Sequence, residues 1–331
     1  MRSLTLTLTA SLLSAAAPAL AADKPQLTVY APDYFASEWG PGPKIEAGFE
    51  AQCACDLVFV TGDVLPRILL EGASTKADAV IGLNTDQTAR ARATGLFAPH
   101  NQDVASLTTP VTWTDPTFLP FNWSEVAFVY DDTRLKNPPK SFQELLDAPA
   151  NAYKIVMQDP RSSASGLATL LWVKHIYGDK ASEAWAKLAP QVLTVTKDWS
   201  ESYGMFTDGE ADMVLSYTTS PAYHIVEEKD LHKHALMFPE GNYFMVELAA
   251  QLKDTDQPEL AQKFMDYILS PEFQTMIPEA NWSYPAKLPN DQLPQAFRDL
   301  PRPEKTLFYS EAEAEAIRKP ALEEWLRAFA R

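Results

Sequence analysis

One ordering of local patterns restricts this chain more than any other feature: short apolar runs of strand character alternate with stretches of helical spacing. Residues 27–30 read as a strand, 44–51 as a helix after the turn Gly40-Pro41-Gly42-Pro43, and 56–60 as the next strand. Residues 64–71 then carry helical spacing that ends at Gly72. They are followed by a short buried strand at 79–81 and a helix at 85–94 stopped by Gly95. Such a succession builds a parallel sheet covered by helices.

An irregular stretch rich in proline and aromatic residues, 110–123, interrupts the pattern. A strand returns at 126–130, followed by a helix for which Ser141 and Glu144 form a capping box. Strands at 154–157, 193–195 and 213–216 then alternate with helices near 165–177, 183–188 and 200–208, a second α/β unit. Residues 246–250 read as a return strand, and helices at 258–269, 271–277 and 310–330 complete the chain. The expected architecture is α/β and two-lobed, each lobe a mixed or parallel sheet flanked by helices, with a ligand cleft between them. Lobe 1 is expected to comprise 22–120 plus 245–331, and lobe 2 to comprise 121–244.

Residues 1–21 hold Arg2, an apolar, threonine-rich run and the small-residue triplet Ala19-Leu20-Ala21, the order of a cleavable signal peptide. The run is too short for a membrane span and no cysteine follows it, so a free exported protein beginning near Ala22 is expected, with no membrane anchor. Asp and Glu number 44 against 28 Lys and Arg, a formal net charge of −16. Nucleic acid and anionic membrane surfaces are poor partners for such a chain. Cys53 and Cys55 are the only cysteines. A disulfide closing over Ala54 and a pair of reduced thiols both remain open, while a zinc site needs more ligands than this pair supplies.

The candidate site residues lie where strands give way to helices. The segment from Gln158 to Leu167 places Ser162, Ser163, Ala164 and Ser165 at a helix start, where hydroxyls and free N–H groups suit an anion or simply cap the helix. The segment from Leu215 to His224 leaves a strand through Tyr217, Thr218, Thr219 and Ser220 and enters a helix at Pro221, with Tyr223 beyond. Trp199 precedes Ser200, a candidate cap, and Trp39 and Trp282 lie in loops. Large flat rings in a cleft suit a flat cationic heteroaromatic guest. Gly62 and Asp63 form a turn, and Asp63 either binds an amino group or caps the helix at Val64.

Catalytic signatures are missing: there is no G-x-S-x-G elbow, H-E-x-x-H helix or P-loop. His100, His175, His224, His232 and His234 carry no partnering motif, so no catalytic residue and no metal site is expected.

Five segments carry a family resemblance. They are Leu27-Thr28-Val29-Tyr30 leading to Trp39-Gly40-Pro41-Gly42-Pro43, Asp159-Pro160-Arg161-Ser162-Ser163, the run from Lys197 to Gly204, the block from Leu215 to His224, and Asn281-Trp282-Ser283-Tyr284-Pro285. Across nearly its whole length the chain resembles the periplasmic thiamine-binding proteins of bacterial ABC transporters, within the iron- and spermidine-type extracellular solute-binding family. The resemblance implies a type II binding-protein fold, a monomer closing over thiamine or its mono- or diphosphate, and delivery to an inner-membrane permease with its ATPase. It implies no enzyme activity and no cofactor, thiamine being the transported ligand. By position, Ser163 and Ala164 would meet the hydroxyethyl or phosphate end together with Tyr217, Thr218, Thr219 and Ser220. Trp199, Tyr223 and Trp282 would form the aromatic enclosure, Trp39 keeps its family place, and Gly62 and Asp63 match a contact turn. Where the family pattern has a tyrosine after the first strand this chain has Pro32, with Tyr34 two residues on, so a stacking partner is either missing or relocated.

Two other readings compete. An Fe(III)-binding protein of the same fold wants tyrosinate oxygens with a carboxylate or histidine, and here Tyr217 and Tyr223 are not adjacent. An exported enzyme acting on thiamine or a phosphate ester needs a nucleophile with a base beside it.

Overall fold

The computed structural model describes residues 24–36 and 40–329; the expected signal peptide and Trp39 lie outside them. Strands β1 (Gln26–Ala31), β2 (Asp56–Thr61) and β3 (Ala79–Asn84) alternate with helices α1 (Gly42–Cys53), α2 (Val64–Glu71) and α3 (Thr85–Ala93). Next come β4 (Leu119–Asp131), α4 (Phe142–Asp147), β5 (Ile155–Gln158), α5 (Ala164–Tyr177), α6 (Ala181–Leu188), β6 (Val192–Thr196), α7 (Trp199–Thr207), β7 (Met213–Tyr217) and α8 (Pro221–Tyr223). The chain closes with β8 (Lys233–Ala235), β9 (Asn242–Gln251), α9 (Pro258–Ile268), α10 (Pro271–Ala280), β10 (Tyr284–Pro285), α11 (Gln295–Arg298), β11 (Thr306–Leu307) and α12 (Glu311–Phe329).

Strand order is β2-β1-β3-β9-β4-β7-β5-β6. Read inward from either edge, the same unit appears: three parallel strands and then an antiparallel one, β9 in the first lobe and β4 in the second. The two antiparallel strands pair with each other through Leu119 to Glu125 of β4, after which β4 turns to β7 from Val126 onward. One unbroken strand therefore belongs to both lobes. All its residues except Tyr130 are buried, as a strand covered on both faces must be.

β4 starts at Leu119, inside the stretch that the sequence reads as irregular. Pro120 and Asn122 disguise it, and the register shifts between them, where a bulge accommodates the proline. Ser141 accepts from the Glu144 N–H as a cap should, but the Glu144 carboxylate takes the N–H of Lys140, one residue before the cap position.

The second lobe's core is an aromatic cluster, Phe128, Phe142, Trp172 and Phe238, with the Phe142 and Trp172 ring centroids 4.8 Å apart. Helix α12 joins it through Ala314, Ala321 and Trp325, packing on α5 and α6, and it packs as well on α3 of the first lobe, where Arg92 pairs with Glu311 at 3.0 Å. An amphipathic pattern shows that a helix needs a partner surface and not which one. Around the first lobe's sheet lie two cores. One places Phe49, Phe264 and Phe273 beneath α1, α9 and α10, and the other holds Trp123, Phe244, Tyr284 and Phe297. Cys53 and Cys55 form a disulfide at the end of α1, with Ala54 between them in the left-handed region at φ +53°. Among the described residues no helix is long and apolar enough to cross a membrane.

Candidate ligand-binding cleft

Both sets of parallel strands point their carboxyl ends at the junction of the lobes, and the loops leaving those ends carry the candidate residues. From β5 the chain makes a tight turn into α5. Glycine is required at position 166, where an added Cβ would stand 2.7 Å from the Gln158 carbonyl oxygen. This close approach sets Ser163 at the N-cap position, yet its hydroxyl makes no cap bond. It lies 2.9 Å from Ser165 Oγ, which donates to Gln158 Oε1 at 2.7 Å. Ala164 opens the helix beside it. Ser162 turns away to the Lys197 carbonyl.

At the end of β6 the cap is Asp198, which accepts from the Glu201 N–H, and not Ser200 as the sequence reads. That choice starts α7 at Trp199. The Trp199 indole N–H donates to Ser216 Oγ at 2.8 Å, and its ring stacks on Tyr203 with centroids 4.5 Å apart. Tyr203 stacks in turn on His224, and its hydroxyl lies 2.9 Å from His224 Nε2. His224 Nδ1 faces the Glu228 carboxylate at 2.6 Å, so that acceptor takes the ring N–H and leaves Nε2 to accept from Tyr203. The result is a three-ring column whose outer member, Trp199, is 37% exposed. Tyr203 and His224 back the Trp199 ring and were not among the candidates from sequence; the spacing of Trp199 and Tyr203 along one helix, four residues apart, was the available signal.

β7 ends in Tyr217, whose N–H donates to Ser220 Oγ, and Ser220 also lies 2.7 Å from Ser216 Oγ. Thr218 and Thr219 turn inward onto Ser124 of the shared strand at 3.2 and 3.1 Å, and Thr218 Oγ1 donates to Glu125 Oε2 at 2.9 Å. These threonine hydroxyls are buried and engaged within the protein; Ser163 and Tyr217 are only half-buried. Tyr223 is 39% exposed and meets Trp282 edge-on, centroids 5.1 Å apart, so the second lobe touches the first here. Trp282 holds a left-handed backbone, φ +49°, a conformation costly for an aromatic residue and typical of functional loops.

From the first lobe, Tyr34 reaches the junction. Its hydroxyl donates to Glu247 of β9, and it is 42% exposed. The relocated tyrosine thus lies at the cleft, while Pro32 fills the space over Gly82, where a Cβ would meet the proline ring at 2.5 Å. Glu247 also accepts from Asn122 at 2.5 Å and from Asn281, the neighbour of Trp282, at 2.9 Å. Burial raises the Glu247 carboxyl above the ordinary range, and these hydrogen bonds offset only part of that. The Tyr217 phenol is raised too, by burial and then by the Glu247 charge. Gly62 sits at the end of β2, its N–H bonded to the Ala31 carbonyl. Asp63 is the N-cap residue of α2 but its side chain makes no cap bond and is exposed. The contacts that unite the other candidates do not include it. Among the described residues no group of three or more His, Cys, Asp or Glu side chains could hold a metal ion.

Residues 48–298 match the model of the bacterial extracellular solute-binding protein family. The chain belongs to that family. It is 49% identical over 319 residues to the thiamine-binding periplasmic protein of Brucella abortus, covering 95% of each chain. It is 47% identical to the protein of that name from Escherichia coli, covering 97% of this chain and 98% of the relative. A solved periplasmic thiamin binding protein superposes with a TM-score of 0.89 at 47% identity, covering 93% of this chain and 97% of its own. Iron-bound HitA from Pseudomonas aeruginosa, at 21% identity and a TM-score of 0.76, shares the two-lobed fold.

Proposed function

We propose that this protein is the periplasmic receptor of an ABC importer, which captures thiamine, with its mono- and diphosphate as further ligands, and hands it to a membrane permease. The observation that carries the reading is the pairing of an aromatic enclosure with a hydroxyl cradle at the lobe junction. Trp199, Tyr223 and Trp282 offer ring faces and edges to a flat cationic heterocycle, favoured by stacking and cation–π attraction. Ser163, Ala164 and Tyr217 receive the hydroxyethyl or phosphate end near the amino end of α5, with Thr218, Thr219 and Ser220 holding the turn in place behind them. Gly62, Asp63 and Trp39 join from the first lobe as it closes.

The names of the relatives support the ligand. The expected lobe boundaries near 121 and 245 are retained in this proposal, with α12 packing on helices of both lobes. Binding requires no bond to form or break, since lobe closure around the guest creates the surface that the permease reads.

The test is titration of refolded, ligand-free protein with thiamine, followed by quenching of its eight tryptophans. Refolding removes vitamin carried through purification. Saturable quenching at micromolar affinity or tighter is expected, with no response to Fe(III)-citrate or putrescine. Folded protein that ignores thiamine refutes the proposal.

A further inference from the structure

Glu247 is the one charged residue in the buried run Val246-Glu247-Leu248-Ala249-Ala250 of β9. It is 7% exposed. Its carboxylate accepts from Tyr34, Asn122 and Asn281, and Asn122 lies directly opposite it on β4. All three donors are neutral. They satisfy lone pairs without balancing the charge, and a buried carboxylate left in that state is costly. A glutamine could hold the same neighbours at lower cost, its amide nitrogen facing Tyr34 and its oxygen accepting both asparagines.

The carboxylate's position relates that cost to the cleft. Tyr34 comes from the first lobe and Tyr217 from the second, and both phenols are raised in part by the charge of Glu247. Asn281 precedes Trp282, whose ring meets Tyr223. Glu247 therefore lies behind the aromatic residues that converge from both sides. Few mobile water molecules separate a charge so placed from a guest held among those rings, so its field is weakly screened.

We propose that Glu247 is the specificity-determining charge of the cleft, a buried carboxylate that selects a cationic heteroaromatic ligand over an uncharged one of similar shape. The inference rests on the function proposed above. Glu247 acts through space behind Tyr34 and Tyr217; its role is to set the electrostatic potential where the guest sits.

The experiment compares wild type, Glu247→Gln and Asn122→Ala by calorimetric titration with thiamine and with thiochrome, its uncharged fused-ring oxidation product. Glu247→Gln is expected to weaken thiamine by about tenfold or more while thiochrome changes by less than about threefold. Asn122→Ala removes one of the hydrogen bonds to the carboxylate from behind the cleft and keeps the charge, so its thiamine affinity stays within about threefold of wild type. Equal losses for both ligands in Glu247→Gln overturn the proposal, as does unchanged thiamine affinity. If thiochrome binds too weakly to titrate, the two variants decide: a loss in Asn122→Ala equal to that in Glu247→Gln makes the carboxylate a mere fastening. Failure of wild type to bind thiamine refutes the proposed function instead, which is a separate result.

Discussion

The two sides of the cleft are built differently. On the second lobe, hydroxyls are locked into three hydrogen-bonded sets: Ser163 to Ser165 to Gln158, Trp199 to Ser216 to Ser220, and Thr218 and Thr219 to Ser124. On the first lobe, the recognition groups hang on loops and gather around one carboxylate, while Asp63 is exposed and makes no cap bond. A prebuilt network pays its ordering entropy during folding, and loop-borne groups pay it when a ligand arrives. The second lobe thus serves as the template and the first as the cover.

The largest expected effect falls on the template. Trp199→Ala removes the outer ring of the stacked column and leaves Ser216 without its indole donor, so thiamine affinity should fall about 100-fold, or roughly 3 kcal/mol. A smaller loss here than in Trp282→Ala would reverse the comparison.

The lobes also differ in how they hold buried carboxylates, which predicts opposite pH windows. Burial raises the Asp86 carboxyl, in α3 of the first lobe, to about 6 despite the pull of its own N–H and of Arg90 and Arg318. A group raised in this way stabilises the fold below its unfolded value and loses that contribution as pH climbs through about 6. In the second lobe, burial would raise Asp131, but hydrogen bonds from Thr133 and Lys233 outweigh it and hold the carboxyl at about 2. Its contribution is present above the unfolded value and is lost as pH falls through about 2. Urea unfolding across pH should therefore show Asp86→Asn flattening the upper limb and Asp131→Asn the acid limb, each by about 2 kcal/mol. Interchanged effects would deny the contrast.

Ser220→Ala deletes the bonds to Ser216 and to the Tyr217 N–H, and should cost about 1 kcal/mol of stability with a severalfold loss of affinity. Asp63→Ala should move the unfolding midpoint by less than about 0.5 kcal/mol, because its side chain is exposed and caps nothing. A large stability loss there would show that the first lobe's turn is built like the second lobe's.

Much of this was legible in order along the chain. Strands β1, β2, β3, β5, β6 and β7 and their helices follow from apolar runs and breakers, since each such pattern is local. The start of β4 was hidden because Pro120 and Asn122 are unusual in a central strand, and only the neighbouring β9 explains them. The docking of α12 was hidden because its partners lie far back in sequence. As candidates, Ser163, Trp199, Tyr217, Ser220 and Tyr223 could be picked from strand ends and Trp282 from a loop. Glu247 was overlooked although one charge inside an apolar strand is a readable anomaly, and Tyr34 joins it across 213 residues of sequence, a span that no local rule covers. Ser200 was read as the cap and Asp198 passed over, although both residue types cap well.

The shared strand and the returning helix also govern the order in which the molecule can be made. The first lobe's sheet needs β9 to fill the place between β3 and β4, and the second lobe's core needs Ala314, Ala321 and Trp325 from the final helix. The first lobe's two clusters are complete in sequence before that helix begins, whereas the second lobe's core cannot close until Glu311–Phe329 is free to dock. The two halves of one shared strand therefore become buried at different times.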